Sequence, residues 1–300
     1  MCVGRVLPVV PGEDKRLPLL IDSDVANEID DLYAIALALA APGRFDLRGF
    51  VATHFAASSG PDSTERSFQL LLQLLRAAGH EEHHVARRGG HPMRYPGVPS
   101  SSPGVDLIIE EALKASPADP LWIVVLGAAT NTASAILTAP EIVPRVRVVF
   151  HARCSRLWPE RTVQFNVVGD VIAVQTLLES DVPLVWFDTG TKLTIPYEET
   201  ARRLSLMCAT GRFLHDYRDR SPHFASPGKG FFDMGDIAWL IDPSLCTVAT
   251  VAVPELRRHL AFDHKRTHGQ MLRVTNIDVP RTWKLFFECL GVAHENGVVA

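Results

Sequence analysis

Short apolar runs alternate along this chain with segments whose apolar residues recur at three- and four-residue spacing. The runs PLLIDSD (18–24), LRGFVATHF (47–55), LWIVVLG (121–127), VRVVFHA (146–152) and PLVWFDT (183–189) predict strands, and TVATVAV (247–253) and QMLRVTN (270–276) add two more. Helical periodicity predicts helices near 31–41, 64–78, 104–115, 131–138, 170–180, 197–220 and 280–290. Strands this apolar suit a sheet covered on both faces. The expected architecture is a doubly wound, mainly parallel α/β sheet, with residues 1–300 as one domain. Such sheets bind ligands beyond the carboxyl ends of their strands. That edge would gather the loop at 22–31, the turn Gly127–Asn131 and the loop His151–Asn166. Two stretches rich in Gly, Pro and Ser, Gly89–Gly104 and Ser221–Gly230, are candidate lids or plain connections.

The first of those loops is the most informative. In LLIDSDVANEIDD, Asp22, Asp24, Glu28, Asp30 and Asp31 crowd into ten residues between a strand and a helix. Like charges held together are costly, and a hard cation bound by carboxylate oxygens removes that cost. The alternative is a capping cluster, since acidic residues suit a helix N-terminus. Capping accounts for Asp30 and Asp31 but for neither Asp22 nor Asp24.

Composition narrows the partners. The chain is 47% hydrophobic and 21% charged, as ordinary globular proteins are. A net charge of −4 argues against a nucleic-acid partner held by phosphate contacts. His83, His84, Arg87 and Arg88 follow Glu81 and Glu82, and the stretch is taken as a solvated turn, with a local anion site as the alternative. No apolar run is long enough to span a bilayer, and the N-terminal segment makes a poor signal peptide. Cys2, Cys154, Cys208, Cys246 and Cys289 are scattered, without the spacing of a zinc site or disulfide framework. A cytoplasmic protein with reduced thiols is the expectation.

The acidic loop resembles the opening of the inosine-uridine-preferring nucleoside hydrolases. LGAATNTASAI (126–136), VQFNVVGDVIAVQTLL (163–178) and FFDMGDIAWLIDP (231–243) resemble three further segments of that family, in its order. The resemblance implies an α/β fold, a homo-oligomer (dimer or tetramer), bound Ca²⁺ and hydrolysis of an N-ribosidic bond in a small nucleoside or related riboside. It makes Asp24, Asp31, Asp233 and the backbone carbonyl of Thr130 the calcium ligands. Asp22 would support the loop, and Asp30 and Asn166 would bind ribose hydroxyls. Asp24 would also take the proton of the attacking water. The residue types agree with that chemistry: a carboxylate serves as general base, and clustered carboxylates stabilise an oxocarbenium-like sugar.

Departures from the family pattern concentrate away from the carboxylates. Five residues, Val25 to Ile29, separate Asp24 from Asp30 where the family has three, and Glu28 faces either site or solvent. Gln164 stands for a ribose-binding glutamate, and Phe232 for the histidine before the metal aspartate. Trp158 and Ser58 fall near sugar-binding asparagines. Trp158 either stacks on a base or packs. His54, at a strand end, is a core histidine or a substrate ligand. Asp236 is a supporting carboxylate or an ion-pair partner, and Asp188 a pocket-ordering residue or a variable one. Trp122, Trp186 and Trp239 belong to the core. With Phe232 unable to act as an acid, His223, His215, Tyr217 and His91 are the candidate proton donors, and a purine or modified riboside is expected over inosine and uridine. The rivals are a hydrolase of a non-nucleoside riboside and a non-catalytic metal- and sugar-binding protein. A phosphatase of the Asp-x-Asp type lacks its downstream Thr/Ser and Lys pattern here.

Overall fold

A computed structural model describes residues 5–153 and 156–300. Eight strands form one sheet: β1 (Leu17–Ser23), β2 (Phe45–Ala52), β3 (Ala86–Arg88), β4 (Leu121–Val125), β5 (Val146–His151), β6 (Leu184–Phe187), β7 (Cys246–Leu256) and β8 (Phe262–Ile277). Their order is β3-β2-β1-β4-β5-β6-β8-β7, and every neighbouring pair is parallel except β7–β8. The chain winds outward from β1 through β2 and β3, then returns to place β4 on the other side of β1. The crevice at that reversal is where such a sheet opens to a ligand.

The doubly wound, mainly parallel sheet is therefore as expected, and alternation along β1 shows why the strand is apolar throughout. Leu17, Leu19 and Ile21 face one core, packed with the helices Asp30–Leu39, Ser63–Ala77, Met234–Ile241 and Val279–Glu295. Leu20 faces the other, with the helices Pro103–Lys114, Thr130–Thr138 and Val171–Glu179. Trp122, Trp186 and Trp239 are fully buried in these cores, as expected. Burying side chains of this size contributes about 1.5–3 kcal/mol each.

Several elements differ from expectation. The strands stop where polar residues begin: β2 ends at Ala52, and Thr53 and His54 leave the sheet toward the ligand edge. The stretch taken as a solvated turn adds Ala86–Arg88 as an edge strand on β2, with Arg88 paired to Glu65 and stacked 3.9 Å over Phe68. The helix expected over 197–220 is two helices, Tyr197–Leu204 and Ala209–Asp219. The break occurs where Cys208 caps the second helix and Gly211 meets the first so closely that a Cβ there would lie 2.6 Å from the Leu204 carbonyl. The last two strands run well past their apolar segments, as an antiparallel arm whose exposed residues 264–270 carry charge and so show no apolar pattern.

Cys208, Cys246 and Cys289 are free thiols; Cys2 and Cys154 lie outside the described residues. Among the described residues no helix is long and apolar enough to cross a membrane.

Candidate active site

Three strand ends and three helix starts converge at the switch point. β1 ends at Ser23, delivering Asp24, and the helix Asp30–Leu39 begins with Asp30 and Asp31. β4 runs into Leu126 and Gly127, β5 ends on His151, and Asp233 begins the helix Met234–Ile241. Asn166 sits in the short helix Phe165–Gly169. Asp24, Asp30, Asp31, Leu126, His151, Asn166 and Asp233 line one cavity of about 180 Å³, together with Asn27, Glu28, Arg153, Gln164, Phe165 and Phe232.

Four carboxylates dominate it. Asp24, Asp30, Asp31 and Asp233 are each at most 5% exposed. Oxygens of Asp30, Asp31 and Asp233 lie within 4.8 Å of one another. Asp24 Oδ2 is buried with no hydrogen-bond partner among the described residues. Burial, with Asp30 adding to it, pushes the Asp31 carboxyl up to about 7. Burial and then the neighbouring charges push Asp24 and Asp233 well above the carboxylate range. A ring of buried acids with an orphaned oxygen could hold a metal ion, and an all-oxygen donor set is that of a hard cation. A capping cluster alone does not explain it, since neither Asp30 nor Asp31 caps its own helix: the N-cap is Ile29 and makes no side-chain cap.

The surroundings hold these acids in place. Ser23 donates to Asp31 Oδ1, and the Asp233 amide lies 3.4 Å from Asp30 Oδ2. Lys229, its side chain 2% exposed, reaches Glu28 at 3.0 Å and Asp30 at 3.3 Å. Glu28 therefore faces the site, bridged to the Ser221–Gly230 loop through Lys229 and His223. Asp22 accepts from Asn131 Nδ2 at 2.9 Å and ties the β4–helix turn to β1; burial raises its carboxyl to about 7. Asp236 Oδ2 lies 2.7 Å from His151 Nδ1, and burial raises its carboxyl to about 6. Asp188 pairs with Arg273 at 2.9 Å.

Not every expected ligand arrives. Thr130 does not line the cavity: its hydroxyl donates to Asp170 at 2.7 Å, and His54 Nε2 meets the same oxygen at 2.7 Å. As the first residue of its helix, Thr130 has its carbonyl directed along the helix axis, away from the N-terminal mouth. The residue of this turn that lines the cavity is Leu126, whose carbonyl accepts from Asn166 Nδ2 at 2.7 Å. Gly127 lets this turn lie against Asp24, whose Cβ and Cγ a side chain at 127 would approach to 3.0 Å. His54 is a buried core histidine, its imidazole pulled down to about 4 by burial. Ser58 is exposed and turns back to the Phe55 carbonyl at 3.1 Å. Trp158 packs, with ring centroids 5.1 Å from Phe262 and 6.4 Å from Trp186, because its loop pairs with the β7–β8 arm through Thr162 and Leu260. None of the four candidate acids lines the cavity either: His215 packs on Tyr197, Tyr217 lies between Phe213 and Phe224, and His223 bonds Glu28 from outside.

Asn166, Gln164 and Phe232 do line it. Asn166 spends its amide nitrogen on the Leu126 and His151 carbonyls, leaving its oxygen for a ligand. Gln164 uses Oε1 to cap the helix Phe165–Gly169, leaving its amide nitrogen. Sequence reasoning missed Leu126, His151, Arg153 and Lys229. Only Gly127 signalled the first, by marking the close turn just beyond the strand.

The sequence profile of the inosine-uridine preferring nucleoside hydrolases matches residues 19–284. The chain belongs to this family. As a nucleoside hydrolase it is an enzyme that cleaves N-ribosyl bonds. The non-specific ribonucleoside hydrolase RihC of Shigella flexneri is 28% identical to it over 265 residues, 78% of this chain and 82% of that protein. RihC of Escherichia coli K12 matches to the same extent, 28% over 265 residues. The solved purine-preferring ribonucleoside hydrolase of Gardnerella vaginalis aligns with a TM-score of 0.72 at 22% identity, over 91% of this chain and 98% of that one. The inosine-uridine preferring nucleoside hydrolase of Bacillus anthracis aligns at 0.68 and 14%, over 92% and 99%. At these identities the solved structures establish the shared fold.

Proposed function

We propose that this nucleoside hydrolase is Ca²⁺-dependent and converts a ribonucleoside or related riboside into ribose and a free base. The observation that carries this is the buried carboxylate cluster with its unpaired Asp24 oxygen at the switch point of the sheet. Asp24, Asp31, Asp233 and the Leu126 carbonyl would hold the ion. A divalent cation held there would neutralise the cluster and supply a positive centre for a sugar diol and a water. Asp24 accepts the proton of the attacking water. Asp30, the Asn166 oxygen and the Gln164 amide hold ribose hydroxyls, so that remote binding fixes the reacting geometry. The surrounding carboxylates stabilise positive charge as it builds on the sugar. The absence of Trp158 from the cavity removes stacking as a reason to expect a purine preference, and the leaving group is a matter for assay. The chain is further proposed to act in the cytoplasm as a homo-oligomer, whose size light scattering would give.

The test is release of reducing sugar from a panel of ribonucleosides and modified ribosides, with bound metal measured in parallel. Turnover that disappears with a chelator and returns with Ca²⁺ is expected. Full activity in metal-free protein, or a metal held mainly by histidine, would overturn the reading. Turnover of a modified riboside alone would point to the rival substrate class, which the replacement of the family histidine by Phe232 favours.

A further inference from the structure

The carboxylate cavity continues into a second, larger one of about 560 Å³, and Arg153, Gln164 and Phe165 line both. Arg153 is placed unusually for a cation beside so many acids. Among the described residues it forms no ion pair with any carboxylate. Its Nη1 donates to Thr191 Oγ1 at 3.2 Å, and its Nε is buried without a partner. Its guanidinium stacks 4.2 Å over the Phe232 ring. That ring is fixed in turn, since Gly230 leaves it room that a Cβ, only 2.1 Å away, would close, and Gly190 passes close to its backbone. A guanidinium held on a rigid aromatic platform at the cavity wall, with no counter-ion among the described residues, is a preorganised site for negative charge.

Building on the hydrolase reading above, we propose that Arg153, on its Phe232 platform, receives the departing base as an anion. The C1′–N bond breaks and its electron pair stays on the leaving nitrogen. Arg153 stabilises that charge by hydrogen bonding and keeps its proton, since a guanidinium does not deprotonate in proteins. Water adds its oxygen to C1′ and gives one proton to Asp24. After release Asp24 returns its proton to solvent and the anion takes one up, so that riboside and water become ribose and neutral base. Phe232 thus replaces the family's histidine as the support for a cation, and no acid is needed at its position. Aglycones that form stable anions are the favoured substrate class. Bases that leave only when protonated are poor ones.

The experiment compares wild type with Arg153→Met and Arg153→Lys on two kinds of substrate: nucleosides graded by the acidity of their base, and para-nitrophenyl riboside, whose leaving group needs no help. Folding is checked by thermal unfolding and by bound metal. Arg153→Met is expected to lose about 10²–10³-fold in kcat on nucleosides, the usual cost of one charge-stabilising donor. Its loss on para-nitrophenyl riboside should stay below ~10-fold, the difference widening as the base becomes less acidic. Arg153→Lys, with charge but no planar fork, should fall between. In a further variant, Arg153→Ala, whose truncation leaves room for it, added guanidinium ion should restore part of the nucleoside rate. Equal losses on both substrate kinds, or none, would overturn the role of Arg153 while leaving the hydrolase reading intact. Wild type inactive on every riboside would sink that reading first, and the role of Arg153 with it. If Arg153→Met does not fold, the graded losses of Arg153→Lys decide the matter alone.

Discussion

Lys229 fastens the Ser221–Gly230 loop to the catalytic edge, and Lys229→Met isolates what that contact contributes. The ammonium is almost wholly buried, 3.0 Å from Glu28 and 3.3 Å from Asp30, and donates to the Gly230 carbonyl at 2.6 Å. Methionine keeps the apolar stem, so packing changes little and the loss is electrostatic. Removing one partner of a buried ion pair costs ~3–5 kcal/mol, because the other charge is left uncompensated. Glu28 is 34% exposed and can turn to water, so the cost lies at the low end, about 3 kcal/mol. For a chain of this size that lowers Tm by roughly 5 °C. The measurement is thermal unfolding of metal-free protein, repeated with Ca²⁺. The same substitution removes a positive charge beside Asp30, so cation affinity should rise, and saturating Ca²⁺ should recover part of the lost Tm. A metal-free variant within 2 °C of wild type (roughly the shift of ~1 kcal/mol) would refute the argument that Lys229 compensates this cluster.

Asp24→Asn should fold normally by circular dichroism and lose at least ~10²–10⁴-fold in turnover, since an amide accepts no proton; retention of more than a tenth of the wild-type rate would refute its role as base. Gly127→Ala drives a methyl to 2.4 Å from Thr53 Cγ2 and 3.0 Å from Asp24, so it should cost ~1–3 kcal/mol in urea unfolding and weaken metal binding; unchanged calcium affinity would count against the Leu126–Gly127 turn as part of the site. Trp158→Phe should change stability but leave the KM for nucleosides within about twofold, because the indole packs on Phe262 and Trp186; a KM rise of tenfold or more would return it to the substrate. His54, depressed from 6.5 to about 4 by burial, stays neutral in the fold while the unfolded chain takes up a proton, so stability falls as pH drops from 6.5 toward 4, by ~3 kcal/mol. His54→Asn, with nothing to titrate, should not show that decline, and parallel pH profiles for the two proteins would disprove it.

The sequence by itself determined the sheet and the acidic half of the site. Continuous apolar strands can be buried only between two helical layers, so LLI, LWIVV and VRVVF already specify a covered parallel sheet. Clustered carboxylates beside one strand end are too costly to be neutral background, which is why Asp24, Asp30 and Asp31 stood out, and why Asp233 could be joined to them through the family pattern. What only the tertiary structure decided lies in loops that follow other parts of the chain. Trp158 left the site because its loop pairs with the β7–β8 arm, a partner about a hundred residues away. The turn residue at the cavity is Leu126 and not Thr130, because a backbone oxygen's direction depends on where the strand stops and the helix starts, and neighbouring residues do not encode that boundary. Arg153, His151 and Lys229 looked like ordinary charged residues until folding brought Phe232, Asp236 and Asp30 to them. Apolar periodicity is a local property of the chain and survives in the sequence, whereas a pocket is made by contacts between distant segments, whose distances exist only in the folded protein.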